Sequence, residues 1–197
     1  MASADRDQPQ EKQGFLHGKL LIAMPGMSDP RFGQSVILMI SHSDTGAMGL
    51  IVNKPIPQLG FRDLMQKMDI ATSEATPVKP VLFGGPCDTD RGYVLHGQDR
   101  GNRQSTLAVT PDILLTTTVD MLRAIAEGRG PERWLLALGY AGWGPGQIES
   151  EIVANGWIHC DADTKLVFDA FADEKWRLAF GKLGAGLSGL SSEAGRA

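Results

Sequence analysis

Cysteine is scarce in this chain. Only Cys87 and Cys160 occur among 197 residues. A chain of this length buries roughly 70% of the surface its unfolded form exposes, so it needs no covalent staple. Two thiols so far apart read as reduced groups, and a cytoplasmic protein is expected rather than a disulfide framework. Long apolar runs are missing too. Val36 to Ile40 is as long as they become, far short of the ~20 residues of a membrane helix. The opening stretch MASADRDQPQEKQG has charges but no apolar centre, so it does not read as a secretory signal.

Basic charge is not in excess. Nineteen Lys and Arg face 23 Asp and Glu, for a net charge of −4, and the basic residues are scattered. Phosphate backbones reward a basic stripe, so direct nucleic-acid binding is not expected. Metal-ligand spacing is also lacking. His17, His42, His96 and His159 show no H-x-x-x-H or H-E-x-x-H pattern. In His159-Cys160-Asp161, adjacent strand residues would point to opposite faces. No metal and no cofactor is expected. Neither a G-x-S-x-G elbow nor a P-loop occurs.

Glycine, by contrast, is abundant: 24 residues, where average usage gives about 14. The excess gathers between Gly139 and Gly146 and after Gly181. Residues 1–14 lack periodicity and read as a disordered extension. Residues 184–197 read as a flexible small-residue tail. Between them, 15–183 fit one compact domain.

Within that domain, short apolar runs bounded by turn residues predict strands at Leu20–Ala23, Ser35–Ser41 and Ala47–Asn53. Asp44 to Gly46 makes a hairpin of the last two. Neither of those alternates polar with apolar, so both are expected to be covered on both faces. Further strands are predicted at Val81–Phe83, Tyr93–Leu95, Trp134–Leu138 and Trp157–Ile158. Phe61, Leu64, Met65 and Met68 stripe a short helix. Thr110-Pro111-Asp112 supplies an N-cap, a first-turn proline and an acid, predicting a helix from there to Gly128. The β-branched triplet Thr116 to Thr118 weakens that helix. Pro145 to Ala154 predicts a helix closed by Asn155-Gly156, and Trp176, Ala179, Phe180 and Leu183 stripe a last one. Without strict βαβ alternation the fold class is α+β, a mixed sheet surrounded by helices.

The richest segment is Leu138 to Glu149, LGYAGWGPGQIE, read as a strand entering a Gly-rich loop that opens a helix. Such loops cradle anions with backbone N–H groups. The dinucleotide fingerprint fails, because Gln147 stands where its third glycine belongs and Glu149 and Glu151 bring negative charge to the helix start. Trp143 is either a plug over the core or an aromatic wall for a ligand. Gly84-Gly85-Pro86-Cys87 ends a strand, and Cys87 with His42 or His96 could form a nucleophile and base on one rim. Buried inert cysteine and strand-capping histidines are the plainer account.

Taken in order, several of these segments resemble the YqgE/AlgH family of bacterial proteins. The matching residues include Gly18 to Ala23 with Pro25 and Met27, Phe32, and Ser35-Val36-Ile37. His42, Gly46 to Gly49, Asn53-Lys54-Pro55, Gly84-Gly85-Pro86 and Leu95-His96 follow. Gly139 to Gly144, Gly146-Gln147, Glu149, Trp157 and Trp176 complete the series. The resemblance spans about residues 14–183. It implies a compact α+β fold in the bacterial cytoplasm and carries the label of transcriptional regulator borne by some members. It brings no catalytic residue.

The expectation is therefore a regulatory or binding module that works through an unknown small molecule or protein partner, with oligomeric state open. An enzyme using a His/Cys rim and a direct DNA-binding regulator are the alternatives. Thr110 to Glu127 holds a single basic residue, Arg123, which is poor equipment for phosphate contacts. The ligand-binding candidates are His42, Asn53, Gly84, Gly85, His96, Trp143, Gln147 and Glu149. They are expected around one cleft, with Gly139 to Glu149 as a wall and His42 to Gly46, Asn53 to Pro55 and Gly84 to His96 as companions.

Overall fold

The structure, a computed structural model, describes residues 16–98 and 105–183. The terminal segments expected to be disordered, 1–14 and 184–197, lie outside the described residues. Among the described residues, ten strands and four short α-helices alternate irregularly. The strands are β1 (Lys19–Ala23), β2 (Val36–Ser43), β3 (Gly46–Ile51), β4 (Pro55–Gly60), β5 (Pro80–Phe83) and β6 (Cys87–His96). Then come β7 (Thr106–Thr110), β8 (Ile113–Thr116), β9 (Trp134–Trp143) and β10 (Trp157–Asp161). The helices are α1 (Phe61–Lys67), α2 (Val119–Ala126), α3 (Gln147–Val153) and α4 (Lys175–Lys182), with a π-helical turn at Lys165–Asp169.

The strand order is β10-β1-β2-β3-β9-β6-β8-β7, with β5 also on β9 and β4 on β5. Every pairing is antiparallel except β5 with β9. The sheet curls. Val109 and Ile113, from one end of the strand order, share a core cluster with Leu20 and Ile22 from the other. A Cβ on Gly18, just ahead of β1, would stand 3.0 Å from the Val109 carbonyl oxygen. The α+β class holds, but the helices cover patches of a curled sheet rather than surrounding it.

Period-2 alternation explains the core. Val36, Leu38 and Ile40 point into the inner cluster, closed by Val167 and Phe180 from the π-turn and α4. Ile37 and Met39 point the other way, to Leu21, Ile51, Ala141, Trp143 and Ile148. Both faces of β2 are thus covered, as its uninterrupted apolar run requires. A third cluster seats Phe61 and Met65 of α1 and Leu122 and Ile125 of α2 against Val94, Trp134 and Leu136. Lys175 is a buried cation at 2% exposure. Its ammonium donates to the carbonyls of Val52 (2.8 Å) and Val167 (2.7 Å), tying α4, the π-turn and the end of β3 together.

Two expectations need correction. The helix over Thr110 to Gly128 is instead a β7–β8 hairpin followed by α2, which begins only at Val119. Thr110 Oγ1 accepts the N–H groups of Asp112 (3.3 Å) and Ile113 (3.0 Å), so the bonding that marks a helix N-cap here closes a hairpin turn. The stretch Gly139 to Trp143, read as loop, is the second half of β9.

Its glycines answer to a backbone crossing. β6 runs along one edge of β9, while β3 and β5 divide the other. The chain must pass from β5 to β6 across β9 within Gly84-Gly85-Pro86. A Cβ on Gly84 would lie 2.2 Å from the Gly139 oxygen, and one on Gly85 2.1 Å from the Tyr140 carbonyl carbon. Gly85 and Gly139 also hold positive φ, at 150° and 73°, a region L side chains avoid.

Candidate functional site

Strand β9 ends at Trp143, and the turn Gly144-Pro145-Gly146 leads into α3. Gln147 closes this corner, its Oε1 accepting the Gly144 N–H at 3.0 Å. One helical turn later Glu151 stands on the same face, and its Oε1 accepts the Gln147 amide at 2.8 Å. Glu151 Oε2 takes two more donors, the indole N–H of Trp143 at 3.0 Å and that of Trp157 at 2.8 Å. The two rings meet edge to face, with centroids 6.0 Å apart and planes at 81°. Phe32 packs on Trp157 in the same manner, at 5.7 Å and 72°.

These groups border a cleft of about 730 Å³. One wall is Gly142, Trp143, Gln147 and Glu151. The other is the segment from Gly26 to Phe32, with Asn155 to Trp157 closing one side. The Asp29 carboxylate grips Arg31 in two parallel contacts, Nε to Oδ1 at 3.1 Å and Nη2 to Oδ2 at 2.6 Å. This contact, foremost through the side-chain bond, holds the Asp29 carboxyl below its ordinary range and pushes the guanidinium up.

The candidates divide by role. Trp143 and Gln147 border the cleft. Trp143 is 7% exposed and belongs to the core, while its rim reaches the cleft. Asn53 is one shell removed: its Oδ1 accepts Val36 N–H at 2.8 Å and its Nδ2 donates to Gln34 O at 2.9 Å. Lys54 Nζ donates to Arg31 O at 2.9 Å, so the pair props the Asp29–Phe32 wall. His42 Nε2 donates to Glu149 Oε1 at 2.7 Å, pinning α3 to β2. The backbone N–H of Glu149 itself, and then the His42 ring, hold that carboxyl below the usual range despite its partial burial. Gly84 and Gly85 serve the crossing over β9.

The rim shared by His42, Cys87 and His96 is not formed. His42 pairs through Ala47 with Trp143 at one end of β9, and His96 pairs with Trp134 at the other. Trp143 and Trp134 are nine positions apart (143 − 134), roughly 30 Å along a strand. His96 is buried, with its ring nitrogens 2.9 Å from Gly97 O and Thr116 Oγ1. The Asn53–Pro55 segment and the Gly84–His96 strand are likewise not companion walls, Pro86 alone excepted. Among the described residues no group of three or more His, Cys, Asp or Glu is placed to hold a metal.

Asp29, Arg31, Asn155 and above all Glu151 were not identified from sequence. The signal for Glu151 was present: two tryptophans whose N–H groups need an acceptor when buried, and an acid four residues after Gln147.

Comparison with known proteins agrees with this architecture. The family model described as AlgH-like, DUF179, matches residues 20–188. A UPF0301 protein of Bradyrhizobium diazoefficiens is 48% identical over 196 residues, covering 96% of this chain and 92% of its own length. The solution structure of the AlgH protein from Pseudomonas aeruginosa superposes with a TM-score of 0.74 at 40% identity, over 98% of this chain and 100% of that one. A Corynebacterium diphtheriae protein, DIP2367, shares the fold at a TM-score of 0.67 and 20% identity, over 84% and 85% of the two chains. With the family model matching most of its length and relatives at this identity over nearly all of it, this chain belongs to the AlgH-like family.

Proposed function

We propose that the protein is a regulatory binding module whose cleft between the Gly26–Phe32 segment and the β9–α3 corner receives a small molecule or a segment of a partner protein. Any effect on transcription is then indirect. The observation that carries this reading is the cleft itself. Its volume of about 730 Å³ falls within the ~300–1,000 Å³ of small-molecule sites. Its lining combines aromatic surface with amides and a fixed carboxylate. The titratable side chains on that lining are Asp29, Arg31 and Glu151. Two of these hold each other, and the third is engaged by neutral donors, an arrangement suited to recognition rather than proton transfer.

A thermal-shift screen of metabolites tests the proposal, since a ligand at 100 Kd adds roughly 2.7 kcal/mol of stability. Hits should move the emission of Trp143 and Trp157 and be lost in Gln147→Ala. If hits bind equally well to Gln147→Ala, or if that variant keeps full regulatory activity in cells, the cleft is not the site.

A further inference from the structure

Resting on that reading of the cleft, we infer that its occupant is an organic cation, an alkylammonium or guanidinium group seated against Phe32, Trp143, Trp157 and Glu151. The charges decide it. Arg31 is bound by both oxygens of Asp29, so these two cancel. Glu151 accepts three hydrogen bonds, two from indoles and one from an amide, and all three donors are neutral. Among the described residues no Lys, Arg or His lies within ion-pair distance of it. The lining therefore carries one half-buried carboxylate that has hydrogen-bond donors but no counter-charge, which a cation entering the cleft would supply.

The rings point the same way. Three aromatic side chains border the cleft, packed edge to face on one another at 72° and 81°, and one of them already takes a cation: the Arg31 guanidinium carbon lies 5.6 Å from the Phe32 ring centroid. Aromatic faces are negative, and they attract ammonium and guanidinium groups most strongly where water is excluded. Both indoles donate to a carboxylate, which polarises them further toward negative faces. An anion in this place would meet Glu151 and those faces, with the one guanidinium already claimed by Asp29. A neutral ligand would leave Glu151 uncompensated. A cation satisfies both the carboxylate and the rings.

This chemistry has two sources, a free amine of the polyamine or quaternary type, or a Lys or Arg side chain of a partner peptide. Titration calorimetry and tryptophan fluorescence on the full chain separate them. The probes are spermidine, tetramethylammonium, and the capped peptide acetyl-Gly-Arg-Gly-amide, with inorganic phosphate and adenosine monophosphate as anions. The cations should bind saturably and the anions should not. A peptide at least tenfold tighter than the free amines assigns the site to a protein partner; the reverse order assigns it to a metabolite.

Two variants test the charge argument from opposite sides. Glu151→Gln should weaken cation binding at least tenfold. Arg31→Gln removes the positive member of an exposed pair and should tighten it severalfold. Should Glu151→Gln fold poorly, Arg31→Gln decides alone. The inference falls if Arg31→Gln weakens cation binding, if a well-folded Glu151→Gln leaves it unchanged, or if only anions or neutral metabolites bind. In that last case the cleft remains a binding site. If no cation, anion or screened metabolite binds, both readings fall.

Discussion

Trp143 and Trp157, on strands that are not neighbours in the sheet, give their indole N–H groups to the same atom, Glu151 Oε2. One carboxylate on α3 thus fixes the ends of β9 and β10 relative to each other. Each indole is nearly buried, at 7% and 3% exposure, so neither can turn to water if the acceptor is lost. Glu151→Ala should cost about 2–4 kcal/mol, since each orphaned buried donor is worth roughly 1–3 kcal/mol. Glu151→Gln, which keeps an acceptor oxygen, should cost about half as much. Urea denaturation measures both, and an alanine variant within about 0.5 kcal/mol of wild type would show that the shared acceptor carries no weight.

Trp143 itself should behave as core first and wall second. Trp143→Ala is expected to lose about 3–5 kcal/mol, the range for deleting a large buried aromatic. Trp143→Phe preserves ring packing on Trp157 while removing the donor, and should lose about 1–2 kcal/mol. Calorimetric melting of the pair checks the order. A phenylalanine variant as unstable as the alanine variant would mean that the hydrogen bond, not the ring, dominates.

Lys175 predicts an alkaline gain in stability. Burial, and secondarily the nearby positive charge of Lys79, lowers its pKa from 10.5 to about 8. Between those values the unfolded chain holds a proton that the folded chain has lost, so unfolding free energy rises with pH across the window. The ceiling is 10.5 − 8, about 2.5 pH steps, or roughly 3 kcal/mol at 1.36 kcal/mol each. Burial raises the Cys160 thiol, and by the same linkage it erodes stability above the unfolded thiol's pKa. The comparison must therefore be with Lys175→Met. The difference between the two proteins should narrow the deficit of wild type, or enlarge its advantage, steadily from pH 8 to 10.5. A difference independent of pH would disprove the assignment.

The crossing over β9 predicts a sharp contrast among glycines. Gly85→Ala and Gly139→Ala place a methyl group within 2.1 and 2.4 Å of backbone atoms and demand a positive φ. Both should be insoluble or lose several kcal/mol, as overpacking and backbone strain add. Gly26→Ala meets nothing within 4 Å and should lie within about ±0.5 kcal/mol of wild type. Expression yield and melting temperature of the three decide the matter.

What the sequence disclosed follows from how local each signal is. The β2–β3 hairpin is legible because Asp44 to Gly46 separates two apolar runs, α1 and α4 because their apolar residues recur at helical spacing, and α3 because Pro145 opens it and Asn155-Gly156 closes it. The helix expected from Thr110 failed on chemistry that is locally degenerate: a threonine hydroxyl capping the next residues' N–H groups fits a helix start and a hairpin turn equally. Gly139 to Trp143 failed because its glycines answer to a crossing strand more than fifty residues earlier in the chain. Among the described residues the strand β4, bearing Pro55 and Pro57, pairs only with β5 and lacks alternation to mark it. Of the candidate residues, Trp143 and Gln147 line the cleft, while Asn53, His42 and Glu149 bond to the elements around it. Glu151 was missed because its role arises only when residues 143 and 157 converge.

The place of β9 bears on how the chain comes to be folded. It is the ninth strand to be synthesised and yet the seam that joins β1–β3 to β6–β8. Until residue 143 is available, the two halves share no strand pairing, and β5 and β6 flank an empty slot. Most contacts that complete the fold therefore bridge long stretches of sequence, the situation in which folding is slow and open edges linger. Nascent chains should stay protease-sensitive through the length of β8 and become resistant only after β9 clears the ribosome. Cells short of chaperones should then lose this protein as aggregates formed during synthesis, not as a mature chain that later unfolds.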